Sequence, residues 1–246
     1  MDKLLVSIVI LAFDNLQALL RTVESIYHNT DYENFEIIVA QNPCGTDDEA
    51  RITEQCIIWH GNWRNFKWVK NDKNLYHGKG TMGGVKIADG ELILLCNDDL
   101  FVPARQSDWL TKLVDFITDE ERKNVATVTP AMYYPKETVY WVGKTDEDAP
   151  YHDHLHTPKG DSRIPRAPVK VVYNNMAACL TWRWLLDKVP LGQSCPHYGS
   201  DSEYAHRIRD EISPDWEHWC VPAAQIYHYN IFNLRVNHGQ DKVIDG

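Results

Sequence analysis

ELILLCNDDLFV, residues 91–102, decides how the rest of the chain is read. Leu92, Ile93, Leu94, Leu95 and Cys96 form an unbroken apolar run. That run is too short for an ordinary helix and fits a strand buried on both faces. Asn97, Asp98 and Asp99 follow at once, at the carboxyl end of a central strand, where open α/β sheets hold their ligands. Two adjacent carboxylates repel each other unless water or a cation lies between them, and hard cations such as Mg²⁺ or Mn²⁺ take oxygen ligands. Asn and Asp are also ordinary turn residues, so the stretch by itself leaves a cation site and a solvated turn both open.

Upstream, strand and helix patterns alternate. Residues 6–13 read as a strand. Asp14 or Asn15 can cap a helix carrying Leu16, Leu19, Leu20, Val23 and Ile26 at helical spacing. Residues 35–41 (FEIIVAQ) are a second strand, and Asp47, Asp48 and Glu49 open a second helix where its dipole favours acids. Residues 66–69 form a short third strand, and 79–88 a third helix. The opening strand comes next, then a helix over 106–118. This βαβαβαβ order predicts an α/β fold with a parallel sheet and right-handed crossovers.

The second half differs in texture. Residues 125–130, 138–142 and 169–173 read as strands, 182–188 and 200–212 as helices, and 221–228 as the last strand. Residues 144–168, with Pro150, Pro158, Pro165 and Pro168, read as a long loop of the kind that often serves as a lid. Residues 230–246 are a polar tail.

The chain has 246 residues, 43% hydrophobic and 24% charged, with a formal net charge of −10. These values suit a soluble globular protein and argue against broad attraction to nucleic acid or anionic membrane. No apolar run approaches the roughly 20 residues that span a bilayer. The N-terminus lacks a small-residue cleavage site and is read as a buried strand. Six cysteines form no C-x-x-C pair, and Cys96 and Cys179 sit in apolar runs as reduced thiols do. A cytoplasmic location is expected.

Two motifs compete for the chemistry. Gly78-x-Gly80-x-x-Gly83 matches a dinucleotide-binding fingerprint by letter. That fingerprint should follow the first strand directly, and here it follows the third after seven further residues. The glycines are therefore expected in a loop passing close to a ligand, with Lys79 placed either to meet phosphate or simply in solvent. His152-x-His154-x-His156 would put three imidazoles on one face of an extended segment. With no partner cluster, an acceptor contact or a surface role is expected there rather than zinc.

Taken together, VSIVILAFDN, FEIIVAQN, residues 74–88, ELILLCNDDL, YGSDSEYAHRI and IYHYN resemble the family 2 glycosyltransferases with the GT-A fold, over most of residues 5–229. The resemblance implies one GT-A catalytic domain over residues 1–246, with a Rossmann-like, mostly parallel central sheet flanked by helices. Residues 1–103 would hold the nucleotide sugar and 104–229 the acceptor. It places the donor against Ala12, Phe13, Asp14, Gln41, Lys79, Asn97 and Asp98. Gln41 stands where the family usually has an Asp that contacts the base. Asp99 and His228 are the implied ligands of a divalent cation, Mn²⁺ or Mg²⁺. The family's Glu-Asp pair falls on Ser200 and Asp201, so the Glu is missing and Asp201 is the implied general base, although an Asp there could also merely cap its helix.

The implied activity is that of a hexosyl- or pentosyltransferase. A nucleotide-diphosphate-sugar, with a UDP-sugar foremost, would give its sugar to an acceptor hydroxyl with inversion. The metal stabilises the departing diphosphate and Asp201 takes the acceptor proton. Asn174, Asn175, Met176, Trp182 and Trp184 lie where relatives meet the acceptor. Trp141, Tyr151 and His197 are further candidates, with core packing the competing role, above all for Trp182 and Trp184. A glycan, a protein or another hydroxyl compound could be the acceptor, and nucleic acid stays open. A nucleotidyltransferase or a non-catalytic nucleotide-sugar-binding domain are the alternatives.

Overall fold

Apolar strands and amphipathic helices alternate through β1 (Val6–Ala12), α1 (Leu16–His28), β2 (Phe35–Gln41), α2 (Asp47–Asn62), β3 (Phe66–Lys70), α3 (Tyr76–Val85) and β4 (Leu92–Asn97). The computed structural model describes residues 3–150, 152–194 and 199–229. In β4, Leu92 to Cys96 are all buried, as an apolar run between two helical layers must be. Asn15 caps α1, its Oδ1 accepting from Ala18 N at 2.9 Å. In α2 the acidic first turn does a different job. Glu49 reaches back to accept from Cys44 N and Gly45 N, and beside Lys70 its pKa falls to about 2.

The second half contributes β5 (Leu100–Phe101), α4 (Trp109–Ile117), β6 (Val125–Tyr134), β7 (Thr138–Trp141), β8 (Val169–Val171), β9 (Ala178–Trp182), α5 (Arg183–Lys188), α6 (Ser200–Glu211) and β10 (Glu217–His228). The sheet runs β3-β2-β1-β4-β9-β6-β10-β5, with β7 beside β6 and β8 beside β10. β1 to β4 pair in parallel, as their order predicts. β9 inserts antiparallel between β4 and β6, setting Leu92 opposite Trp182 and Cys96 opposite Ala178.

The structure corrects several sequence expectations. The apolar segment around Cys179 is a strand, and Trp182 ends it instead of opening a helix. The last strand begins earlier than expected, at Glu217. The helix expected over 106–118 is a short 3-10 turn, Ala104–Gln106, followed by α4. The third helix starts at Tyr76, so the expected glycine loop is helical. Glycine weakens a helix by roughly 1 kcal/mol relative to alanine, and close packing explains why it stays. A Cβ on Gly84 would stand 2.6 Å from Val9 Cγ1, and one on Gly78 would stand 2.6 Å from Gly192 Cα. These glycines let α3 lie against β1, β2 and the chain after α5.

Residues 144–168 are a long loop, tied back along β7 by Val139 N to Thr157 O and His156 N to Val139 O. His154 and His156 adopt left-handed backbone, φ 58° and 61°, so the three imidazoles do not share an extended face. His156 stacks on Tyr134 while His152 sits edge-on to Trp141. On one face of the sheet, α1, α2 and α4 cover Ile8, Ile10, Leu94 and Met132. On the other, α3, α5 and α6 cover Val9, Ile38, Leu95 and Cys179. Cys96 and Cys179 are buried free thiols. Among the described residues no helix is long and apolar enough to cross a membrane.

Candidate active site

The acidic turn after β4 is held in place by α1. Thr22 Oγ1 donates to the carbonyl of Asp98 at 2.7 Å and accepts from Leu100 N at 2.9 Å. Ser25 Oγ accepts from Val102 N, and Asn29 Nδ2 donates to Val102 O. A chain fixed at three points gives Asp98 and Asp99 defined directions. β5 then pairs with the end of β10, Leu100 opposite His228, and Tyr229 N donates to Asp99 O.

That pairing brings Asp99 and His228 together. Asp99 Oδ1 lies 3.1 Å from His228 Nε2, with Asp99 8% and His228 2% exposed. Two ligand arms of about 2.1 Å at adjacent corners of an octahedron end roughly 3.0 Å apart, so the pair fits one divalent cation. Asn97 adjoins them, its Nδ2 3.4 Å from His228 Nε2. Among the described residues no cluster of three His, Cys, Asp or Glu side chains is arranged for a metal.

On the donor side, burial pushes the Asp98 pKa up to about 8, with the charges of Asp99 and then Asp14 adding to it and the Phe13 N–H opposing. Phe13, Asp14, Asp98 and Asp99 therefore share one electrostatic neighbourhood. Ala12 closes β1, its carbonyl accepting from Asn42 N. Gln41 is corrected: its fully buried amide donates to Glu49 O and accepts from Thr53 Oγ1 and Trp68 Nε1. An amide so occupied between α2 and β3 is not aimed at a nucleobase. Lys79 is exposed, as its solvent reading expects, and lies about 200° around α3 from His77, which faces Asn97.

On the acceptor side, Asn175 Nδ2 donates to Tyr140 Oη at 3.3 Å, and the Tyr140 ring lies 4.2 Å from that of His228. Burial pushes the Tyr140 pKa up, and the charges of Asp99 and Asp201 add to the rise, so this phenol feels both carboxylates and stays protonated. Asp201 is in the first turn of α6, but the cap residue is Gly199, in left-handed backbone with φ 78°. Asp201 accepts from Ser202 N, one of the open N–H groups of that first turn, as a helix-end carboxylate does.

Trp182 is not brought to this cluster. It faces Leu92, five residues or roughly 16 Å before Asn97 along β4. Its Nε1 donates to Val125 O. Trp184 lies edge-on to Trp216, and Trp141 is buried with Nε1 donating to Thr129 Oγ1. His197 and Tyr151 lie outside the described residues. The sequence reasoning missed Thr22, His77 and Tyr140. Only Tyr140 carried a signal, since alternation in TVYW turns it away from buried Trp141.

Paired acids and a histidine at the carboxyl edge of a doubly wound sheet stand where open α/β folds hold their ligands. The description "Glycosyl transferase family 2" matches residues 7–177, and the chain belongs to that family. An uncharacterized glycosyltransferase of Methanocaldococcus jannaschii is 32% identical over 107 residues, 43% of this chain and 36% of that protein. An uncharacterized protein of Sinorhizobium fredii is 32% identical over 139 residues, 56% of this chain and 14% of that protein. The chain thus spans about a third or less of these relatives. Among solved structures, GalNAc-T7 with UDP, GalNAc and Mn²⁺ superimposes with a TM-score of 0.73 at 16% identity, over 92% of this chain and 44% of its own. The mannosyltransferase PcManGT of Pyrobaculum calidifontis, in complex with GDP-Man and Mn²⁺, gives 0.64 at 14% identity, over 96% and 61%. The fold is accordingly that of GT-A glycosyltransferases.

Proposed function

We propose that this chain transfers a sugar from a nucleotide-diphosphate-sugar to an acceptor hydroxyl, with a divalent cation as cofactor. The observation that carries this is the 3.1 Å approach of Asp99 Oδ1 to His228 Nε2, with the charge of Asp201 felt at Tyr140 beside them. Asp99 and His228 would hold the cation beside the donor's diphosphate. A Mn²⁺ or Mg²⁺ bound there supplies positive charge against the leaving diphosphate. Solved GT-A structures that carry UDP or GDP-Man together with Mn²⁺ support this choice of donor and ion.

The chain's own residues do the rest. Phe13, Asp14 and Asp98 line the donor side. Asp201 takes the proton of the acceptor hydroxyl as the new bond forms. Tyr140, held by Asn175, sits where the two substrates meet. A single carboxylate facing the acceptor suits direct displacement with inversion, and NMR of the first-formed product's anomeric configuration tests that point. The whole proposal is tested by a thermal-shift panel of UDP- and GDP-sugars with and without Mn²⁺. One donor should raise the melting temperature only when Mn²⁺ is present, since a ligand of the native state stabilises it. No shift with any donor would sink the proposal.

A further inference from the structure

We infer that His77 is a positioning residue that locks the first turn of α6, and with it Asp201, to the Asp99–His228 pair; this rests on the transferase proposal above. His77 is the second residue of α3. Its Nε2 lies 3.1 Å from Asn97 Oδ1 and its Nδ1 lies 3.4 Å from Ser200 Oγ. A carboxamide oxygen only accepts, so His77 Nε2 carries the proton and Nδ1 accepts from the Ser200 hydroxyl. One neutral imidazole thus joins the end of β4 to the start of α6. Burial lowers the His77 pKa, which keeps the ring neutral despite the nearby Asp201 charge.

The same contact orients Asn97. With Oδ1 turned to His77, Nδ2 faces His228 Nε2 at 3.4 Å. The backbone agrees independently. Gly78 adjoins His77, and the chain leading to α6 crosses it so closely that a Cβ on Gly78 would meet Gly192 Cα at 2.6 Å. Behind it, Asn42 donates to Tyr76 O and Asn74 Oδ1, and Asn71 donates to Asn42 and to Gly80 O, which fixes the first turn of α3. His77 is therefore where α3, β4 and α6 meet, one residue of α6 away from the proposed base. Sub-ångström misplacement of a base is costly, so this joint sets turnover more than donor affinity.

The test uses Mn²⁺-dependent hydrolysis of UDP-glucose, UDP-GalNAc or GDP-mannose, whichever gives the largest thermal shift. In His77→Ala, kcat should fall by about tenfold or more with the donor KM within about threefold. His77→Gln, which restores an N–H toward Asn97, should recover much of the loss. Ser200→Ala should cost less in the His77→Ala background than alone, because both remove one contact. A His77→Ala enzyme with unchanged kcat, a parallel change in kcat and KM, or additive losses would overturn the inference. Nitrogen-15 NMR of labelled histidine reads the contact without activity. It should show His77 as the Nε2–H tautomer with Nδ1 shifted by Ser200→Ala, and an Nδ1–H tautomer would overturn it. If the unaltered protein neither binds nor hydrolyses any donor, the transferase proposal has failed while the tautomer still decides the His77 contact.

Discussion

Asp98 and Asp99 are neighbours in sequence with different surroundings. Asp99 points at His228, whereas Asp98 points toward Phe13 and is pushed toward protonation by burial and by Asp99. Asp99→Ala should abolish the Mn²⁺-dependent part of donor binding, measured by calorimetry at fixed Mn²⁺. Asp201→Asn should leave donor binding in place and cut turnover by about 10²- to 10⁴-fold, the usual worth of a general base; near-normal turnover would remove it from that role. At this scale the sequence was legible where backbone position alone decides proximity. Asp99, His228 and Asn175 lie at strand ends or beside them, and all reach one cluster. Gln41, Lys79 and Trp182 do not, because their directions depend on helix phase and strand register. Gln41 turns toward α2, Lys79 away from the α3 face that meets the site, and Trp182 falls at the other end of an unforeseen strand.

The elements show why packing outranks motif spelling. Gly78, Gly80 and Gly83 match a phosphate-binding pattern, yet α3 uses its glycines to approach other backbone closely. Gly84→Ala should cost about 1–3 kcal/mol by overpacking against Val9, seen as a melting point lower by about 3–10 °C. Thr22 is a second joint between elements, since α1 holds the acidic turn through it. Thr22→Val keeps the shape but leaves Leu100 N and two carbonyls without that hydroxyl. A loss of about 1–3 kcal/mol should appear in chemical denaturation, together with weaker Mn²⁺-dependent donor binding. The first half was legible because alternating apolar runs and capped helices repeat there without interruption. β9 was not, because a short apolar strand and a buried helix turn look alike without their neighbours.

Across the whole molecule, a buried polar network joins β6, β7 and β10. His218 Nδ1 pairs with Thr127 Oγ1 at 2.7 Å, Asn174 bridges Thr127 and Thr129, and Trp141 Nε1 completes it. Burial lowers the His218 pKa from 6.5 to about 4. The unfolded chain therefore takes up a proton near pH 6.5 that the folded chain refuses until about pH 4. Stability should be unaffected by this group above pH 6.5 and fall by about 3 kcal/mol as pH drops through that window. The difference between thermal melts of the unaltered chain and of His218→Gln, taken from pH 7.5 to 4.5, should show this slope, since the raised Asp98 pKa acts in the opposite direction in both.

The order of the sheet carries a consequence for how the protein comes into being. β4 and β10 are not neighbours in the sheet; β9 and β6 stand between them, and the two-residue β5 pairs with the end of β10 to bring Asp99 beside His228. A ribosome must therefore release nearly the entire described chain before the two proposed ligands can meet. Until β10 docks, a nascent molecule can shape its first half but lacks His228 to complete the proposed cation site, so chemistry waits for that strand.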